Sequence, residues 1–168
     1  EEHGMSNDVK LQVVEQGQTI RLGVFSIEFI NSCHSIADAV ALAIHTPVGI
    51  VVHTSDFKID YTPIQGSPID LARFAELGKQ GVLLLMSDST NVEREGYTMS
   101  EKVVGKTFDE MFADAEGRII VATFASNIHR VQQVIDSAVK YERKVAICGR
   151  SMVNVVNVAL RLGYLNAP

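Results

Sequence analysis

The 168-residue sequence has few cysteines, no long apolar run and no cluster of basic residues at its start. Cys33 and Cys148 lie far apart and form no CxxC or CxxH motif, which favours reduced thiols in an intracellular protein over a disulfide framework. The longest apolar runs, 39–44 and 81–86, fall well short of the roughly 20 residues of a membrane-spanning helix. Because Glu1-Glu2-His3 does not open a signal peptide, we expect a cytoplasmic protein without a membrane segment.

Positive charge is also scarce. The 15 Lys and Arg residues are outnumbered by 20 Asp and Glu residues, which gives a net charge of −5. No bulk positive field therefore marks a nucleic-acid surface, and any polyanion that binds must be held by a local site. With 4 Pro, 12 Gly and 46% apolar residues, the composition is that of a globular protein. The length is compatible with one domain, or with two halves of a larger protein, and it is sufficient to bury a hydrophobic core.

The first eighty residues carry short β-rich runs separated by glycines. Ser67-Pro68-Ile69-Asp70 combines a capping hydroxyl, a first-turn proline and an acidic residue, and it predicts a helix of about ten residues after it. The runs before it predict three antiparallel strands and then a hairpin, over 9–14, 18–22, 24–31, and 40–44 with 49–53.

From residue 81 onward, buried strands alternate with amphipathic helices, which is typical of βα units in a parallel or mixed sheet. Thr98-Met99-Ser100-Glu101 fits a capping box ahead of a helix. Further helices are expected over 128–138 and 152–162. The expected strands of this part are 82–86, 119–124 and 145–148.

His34 and Asp56 each follow a predicted strand and are the best candidates for chemistry. Zinc prefers imidazole nitrogen among its ligands, and a carboxylate can bridge two ions for hydrolysis by a shared hydroxide. Two residues alone do not make a metal site, and a lone His beside a lone Asp is also found as an ordinary surface pair. The residues by themselves leave both interpretations open.

Four motifs in order make the sequence more specific. The first two resemble the third and fourth motifs of the metallo-β-lactamase fold, and the last two are similar to its β-CASP branch. In this combination the chain resembles the ribonuclease J family over most of its length. The motifs are FINSCHSIAD at 29–38, HTSDFKID at 53–60, MSDSTN at 86–91 and TFASNIHR at 123–130.

The resemblance implies an α/β fold in two parts. Residues 1–97 would be the later part of a metallo-β-lactamase αββα sandwich, and residues 98–168 the first part of a β-CASP α/β domain. His34 would complete the first zinc site, Asp56 would bridge both ions, and Asp88 would be the acidic residue of the first β-CASP motif beside them. A phosphate of the substrate would be held at the strand-to-helix turn by Ser126, Asn127 and His129.

Two departures from the family pattern lead us to expect an internal fragment. No HxHxDH cluster occurs, and the later β-CASP histidines would follow Pro168. At most two of roughly seven ligands of a dinuclear site would be present, so we expect weak zinc binding and no hydrolysis by the chain alone. His45 and His53 fit ordinary strand residues. Gly105-Lys106-Thr107 resembles the end of a P-loop, but Ser100 stands where its first glycine belongs, which excludes that interpretation.

For the parent protein, the resemblance implies a ribonuclease with two Zn²⁺ ions per active site. It would use a metal-activated hydroxide on single-stranded RNA, internally and from the 5′ end, in rRNA processing and mRNA decay. One alternative is another β-CASP nuclease that acts on DNA ends or precursor-RNA 3′ ends. A second is a non-catalytic scaffold that binds a nucleotide or another subunit. Exposed strand edges and apolar faces predict that the chain alone dimerises or has marginal solubility. For the parent, the resemblance implies a homo-oligomer, a dimer or tetramer.

Overall fold

The computed structural model describes residues 9–168, and the segment Glu1-Glu2-His3 lies outside this range. It shows the predicted mixed α/β fold, with a five-stranded sheet and four helices. The strands are β1 (Thr19–Leu22), β2 (Phe25–Asn31), β3 (Val40–Thr46), β4 (Gly49–His53) and β5 (Val82–Met86). The helices are α1 (Leu71–Gln80), α2 (Glu101–Asp114), α3 (Ile128–Lys140) and α4 (Arg150–Leu162).

The sheet has the simple order β1-β2-β3-β4-β5. The first three pairings are antiparallel, and the predicted hairpin is confirmed as β3 and β4. β5 pairs in parallel with β4, so α1 is the crossover between them. Because β2, β4 and β5 run in the same direction, their carboxyl ends lie at one edge of the sheet.

Helix α1 packs against one face of the sheet, and the two together form a hydrophobic core. Leu77 of α1 and Ala41 and Ala43 of β3 are 0% exposed, and they cluster with Ile30 and Val52. The small alanine side chains let the helix approach the sheet closely. The N-cap lies three residues after the predicted one, because the side chain of Asp70, and not that of Ser67, accepts a hydrogen bond from Arg73 N.

A charge pair also fixes α1 to the sheet. The Arg73 guanidinium donates to both carboxylate oxygens of Glu28 on β2, at 2.6 and 2.9 Å, and a third bond reaches Glu76. Hydrogen bonding to Arg73 holds the pKa of Glu28 below its ordinary value, although burial acts in the opposite direction. This two-pronged geometry is the strong form of an arginine–carboxylate pair.

The helices after β5 pack on one another. Ile128, Val131 and Ile135 of α3 form a second core with Val156 and Ala159 of α4. Helix α2 lies against α3, where Gln133 Nε2 donates to the carbonyl oxygen of Glu101 at 3.0 Å. The helical part thus has its own core, separate from the one beneath the sheet.

Three predicted strands are wrong, since 9–14, 119–124 and 145–148 are not strands. Their apolar residues have β propensity, but a strand also needs a partner that supplies hydrogen bonds, and none of the described strands pairs with them. The last two segments line a common apolar cavity of about 640 Å³ beside α3. Without strand partners, Ile120 and Phe124 in the first of these segments are 88% and 83% exposed.

Helix α2 begins two residues later than a capping box with Thr98 as the N-cap predicts. Ser100, and not Thr98, accepts from Lys102 N through its hydroxyl oxygen. In the described part of the chain, no helix has the length and apolarity to cross a membrane.

Candidate functional site

Three of the residues singled out from the sequence follow the three strands that run in the same direction. His34 comes after β2, Asp56 after β4 and Asp88 after β5, so the sheet topology brings their loops to one edge. A hydrogen bond from Lys58 N to the carbonyl oxygen of Cys33, 2.7 Å long, joins the first two loops. A cleft of about 550 Å³ opens there, with walls that include His34, Asp88, Asn127 and His129.

His34 and Asp56 form a close pair beside this cleft. His34 Nε2 lies 3.8 Å from Asp56 Oδ2, and the Asp56 side chain is 76% exposed. The chain between the end of β4 and Asp56 is held by a local hydrogen bond, in which Ser55 N donates to His53 Nδ1 at 3.1 Å. Ser55 itself has a left-handed φ of 52°. His53 therefore has a structural partner of its own, in agreement with its interpretation as a strand residue.

Asp88 both caps a turn and lines the cleft. Its Oδ1 accepts from Thr90 N at 2.9 Å and so caps the following turn, and its own N–H donates to Thr54 Oγ1 at 2.9 Å. It also lines the cleft with His34. The hydrogen bonds from Thr90 lower the pKa of Asp88, and the nearby His34 adds to the effect, so the carboxylate is charged at neutral pH.

The amino end of α3 forms the opposite wall. Asn127 is the N-cap, with Oδ1 accepting from Arg130 N at 3.1 Å, and it lines the cleft together with His129. Burial lowers the pKa of His129, against the opposing effect of the Glu101 carboxylate, so the imidazole is neutral at pH 7. Ser126 is exposed and does not line the cleft. The structure thus brings together four of the six predicted site residues, places Asp56 against His34, and leaves Ser126 outside.

A charge network that sequence reasoning missed connects the two walls. Lys58 Nζ donates to Met99 O at 2.6 Å and lies 3.6 Å from a carboxylate oxygen of Glu101. The other oxygen of Glu101 accepts from Arg130 at 2.6 Å. Glu101 therefore joins the loop after β4 to the first turn of α3. The capping box drew attention to Glu101, but its partners lie 43 and 29 positions away and leave no local signal.

Buried Asp60 completes this network. Its carboxylate accepts from Thr62 N at 2.9 Å and from Glu101 N, at the start of α2, at 3.3 Å. Burial raises the pKa of Asp60, but the hydrogen bonds from Thr62, Ser100 and Glu101 and the charge of Lys58 outweigh it, and the net pKa is lowered. An ionised Asp60 thus caps α2 from outside the helix.

The charges of the cleft are mainly negative. Lys58 and Arg94 face four carboxylates in its lining, those of Asp60, Asp88, Glu95 and Glu101. Cys33 also lines it, and burial, followed by the charge of Asp60, raises the pKa of its thiol, which keeps it protonated. A phosphodiester would be repelled by such a cleft unless further positive charge were bound.

The donor types fit a zinc ion, but their number does not. A histidine nitrogen and a carboxylate oxygen are ordinary zinc ligands, and tetrahedral geometry with bonds of about 2.1 Å places two donors roughly 3.4 Å apart, close to the observed 3.8 Å. Among residues 9–168, however, no group of three or more His, Cys, Asp or Glu residues is arranged to hold a metal. His34 and Asp56 would hold an ion only with ligands from outside these residues.

Sequence comparison finds the β-CASP domain of ribonuclease J at residues 116–168. The chain is 52% identical to ribonuclease J of Synechocystis sp. over 169 aligned residues, which cover 100% of this chain and 26% of that protein. It is 47% identical to ribonuclease J of Helicobacter pylori strain J99, covering 100% of this chain and 24% of that protein. For ribonuclease J of Thermus thermophilus the identity is 48%, over 92% of this chain and 27% of the relative. The chain therefore spans about a quarter of the length of these relatives.

Structural comparison agrees at the level of the fold. A crystal structure of a protein of unknown function from Enterococcus faecalis superposes with a TM-score of 0.60 at 16% identity. The superposition covers 90% of this chain and 36% of that one. The arrangement of sheet and helices is thus found as part of a larger chain.

Proposed function

Because the chain belongs to the ribonuclease J family, we propose that it is an internal segment of a cytoplasmic, zinc-dependent ribonuclease with two Zn²⁺ ions per active site. The whole protein would cleave single-stranded RNA internally and degrade it from the 5′ end, in rRNA processing and mRNA decay. Residues 1–97 would belong to its metallo-β-lactamase part and residues 98–168 to its β-CASP domain.

One observation carries this proposal: both halves of the chain contribute to one cleft. His34 and Asp88 come from loops at the edge of the sheet, whereas Asn127 and His129 come from the start of α3. The Asp88 carboxylate and the His34 imidazole, a member of the candidate metal pair, face the amino terminus of α3, where N–H groups favour a phosphate. Such a combination suits the hydrolysis of a phosphodiester.

His34 and Asp56 would be metal ligands, completed by ligands elsewhere in the whole protein. Bound zinc would supply positive charge that stabilises the phosphoryl oxygens. The excess of carboxylates in the cleft supports this role, since a polyanionic substrate needs compensating charge there.

Asp88 would act as a charged acceptor next to the reacting group. Its lowered pKa keeps it ionised, so it can orient a water or a ligand by accepting a hydrogen bond. On the other wall, the side-chain oxygen of Asn127 already accepts a hydrogen bond from Arg130 N of α3. The side-chain N–H groups of Asn127 would therefore be the ones that donate to a phosphate. Neutral His129 would donate one hydrogen bond without adding charge. Ser126 keeps its predicted phosphate contact only if the substrate extends beyond the cleft.

The test uses the full-length protein, wild type beside His34→Ala and Asp56→Ala. Metal content is measured by elemental analysis, and cleavage is followed on single-stranded RNA with a 5′-monophosphate or a 5′-triphosphate. His45→Ala is the matched control, because His45 lies 3.6 Å from Glu28 on the sheet and does not line the cleft. We expect both site variants to lose bound metal and cleavage activity. The wild type and the control should degrade RNA with a 5′-monophosphate faster than RNA with a 5′-triphosphate.

A wild type without metal or cleavage would overturn the proposal in favour of the non-catalytic scaffold. Cleavage of DNA ends or of precursor-RNA 3′ ends in place of single-stranded RNA would indicate another β-CASP nuclease.

We also propose that the protein is a homo-oligomer. The side chains of β5 at the sheet edge are exposed, with Leu83 at 62%, Leu84 at 50% and Leu85 at 60%. Apolar edge strands of this kind recruit further chains. Light scattering that shows a monodisperse monomer at high protein concentration would contradict it.

A further inference from the structure

One wall of the cleft is formed by the loop between β5 and α2, residues 87–100. Its first turn is held by hydrogen bonds within the loop, from Thr90 N to Asp88 and from Val92 N to Ser89 O at 3.0 Å. Its far end is held by Lys58 Nζ on Met99 O and by a 3.1 Å hydroxyl contact between Thr62 and Ser100. The loop is therefore fixed at both ends.

Tyr97 stands on this fixed loop and lines the cleft, yet it is 91% exposed. Gly96 before it has a φ of 99°, a conformation that favours glycine and turns the chain just ahead of Tyr97. Arg94 lines the cleft three residues before Tyr97. An aromatic ring presented to solvent with a cation nearby is the usual platform for an unpaired base and its phosphate.

The charge of the cleft strengthens this interpretation. Four carboxylates against two cations make the electrostatic attraction of an RNA backbone weak, so affinity has to come in part from contacts that do not depend on charge. Stacking of a base on an aromatic ring is such a contact, and it tolerates any base because every base has a flat face. A base in a duplex already stacks on its neighbours and is not available.

We propose that Tyr97 is the stacking platform for one unpaired base of the RNA, with Arg94 contacting the adjoining phosphate. This inference rests on the proposed function. It assigns to the loop before α2 the recognition of a single strand, without preference for base identity.

The experiment measures binding and steady-state cleavage of a single-stranded oligoribonucleotide by the full-length protein. Tyr97→Ala is compared with Tyr97→Phe and with Tyr61→Ala, the control, because Tyr61 is 72% exposed and does not line the cleft. We expect Tyr97→Ala to weaken binding about fivefold or more and to raise KM with kcat nearly unchanged. Tyr97→Phe and Tyr61→Ala should bind like the wild type.

A second arm replaces one nucleotide at a time by an abasic residue. At one position the wild type should lose affinity, whereas Tyr97→Ala should lose none further there, since ring and base act as a pair. Equal binding by the wild type and Tyr97→Ala, or an abasic effect of the same size in both, would overturn the inference and leave the proposed function intact. A wild type that neither binds nor cleaves single-stranded RNA would overturn both.

Discussion

Two parts of the molecule, the sheet with α1 and the three helices that follow it, differ in whether their apolar segments find packing partners within the chain. In the sheet part, each of the five strands has a partner next to it, and α1 seals one face around Leu77. In the helical part, α3 and α4 share a core, but the segments 119–124 and 145–148 have no partner among the described strands, and Ile120 and Phe124 are exposed. Local sequence is sufficient where the partner lies nearby, and insufficient where it does not. The cleft lies at the boundary of these two parts.

The largest expected effect is in the core of the sheet part. Leu77→Ala should lower the free energy of unfolding by about 3 kcal/mol, because it leaves a cavity beneath α1 where Leu77 is 0% exposed. Thermal unfolding of the full-length protein measures it. Leu162→Ala, at a position 66% exposed, is the control and should cost less than about 1 kcal/mol. Equal effects at the two positions would contradict the assigned core.

The next effect tests the charge pair that fixes α1. Arg73→Met should cost about 2 kcal/mol at neutral pH, since it leaves the largely buried Glu28 carboxylate without its main donor. The pKa of Glu28 in the folded protein lies below its ordinary value of 4.5, so the stabilisation is present above pH 4.5 and is lost as the pH falls through the folded pKa. Unfolding curves of wild type and variant should therefore converge at acidic pH. A constant difference would refute this assignment.

A smaller effect is expected at the boundary of the two parts. Glu101→Gln removes the carboxylate shared by Lys58 and Arg130 and should cost about 1 kcal/mol. It should also lower the pKa of His129 further, because the Glu101 charge opposes the effect of burial. An NMR titration of the His129 imidazole measures this, with Glu110→Gln on the exposed face of α2 as control. An unchanged titration would show that the network does not reach His129.

The smallest effect is expected where α2 meets α3. A Cβ at Gly105 would lie 2.6 Å from Gln133 Nε2, the end of a flexible side chain that can move aside. Gly105→Ala should lose the Gln133 hydrogen bond but gain about as much helix propensity, so the net change should stay within about 0.5 kcal/mol. Thermal unfolding measures this change. A decrease of more than about 2 kcal/mol in the free energy of unfolding would contradict the expectation and mean that neither Gln133 nor the contact between α2 and α3 can adjust to the added methyl group.

The elements of the sheet part were predictable because their patterns are local. The β-rich runs predicted over 24–31, 40–44 and 49–53 correspond to β2, β3 and β4. Helix starts were less precise: Asp70 and Ser100 cap α1 and α2, although Ser67 and Thr98 have equally suitable side chains. Which oxygen accepts depends on backbone geometry that residue type does not determine.

The candidate site was predictable only in part. His34, Asp88, Asn127 and His129 were predicted from their motifs, and the parallel direction of β2 and β5 explains why the loops of His34 and Asp88 meet. The sequence analysis did not predict Lys58 and Asp60 as part of the site, because their partners Met99 and Glu101 lie about forty residues away in the sequence. The metal roles of His34 and Asp56, the phosphate contacts and the boundary at residue 97 remain predictions.

The most direct test of the shared cleft uses one residue from each half. Cleavage of single-stranded RNA is measured for the full-length protein, for His34→Ala, for His129→Ala and for the control His45→Ala. If both halves form one site, His34→Ala and His129→Ala should each lose about 100-fold or more in kcat/KM, and His45→Ala should retain the wild-type rate. Full activity in His129→Ala, beside an inactive His34→Ala, would contradict a site built from both halves of the chain.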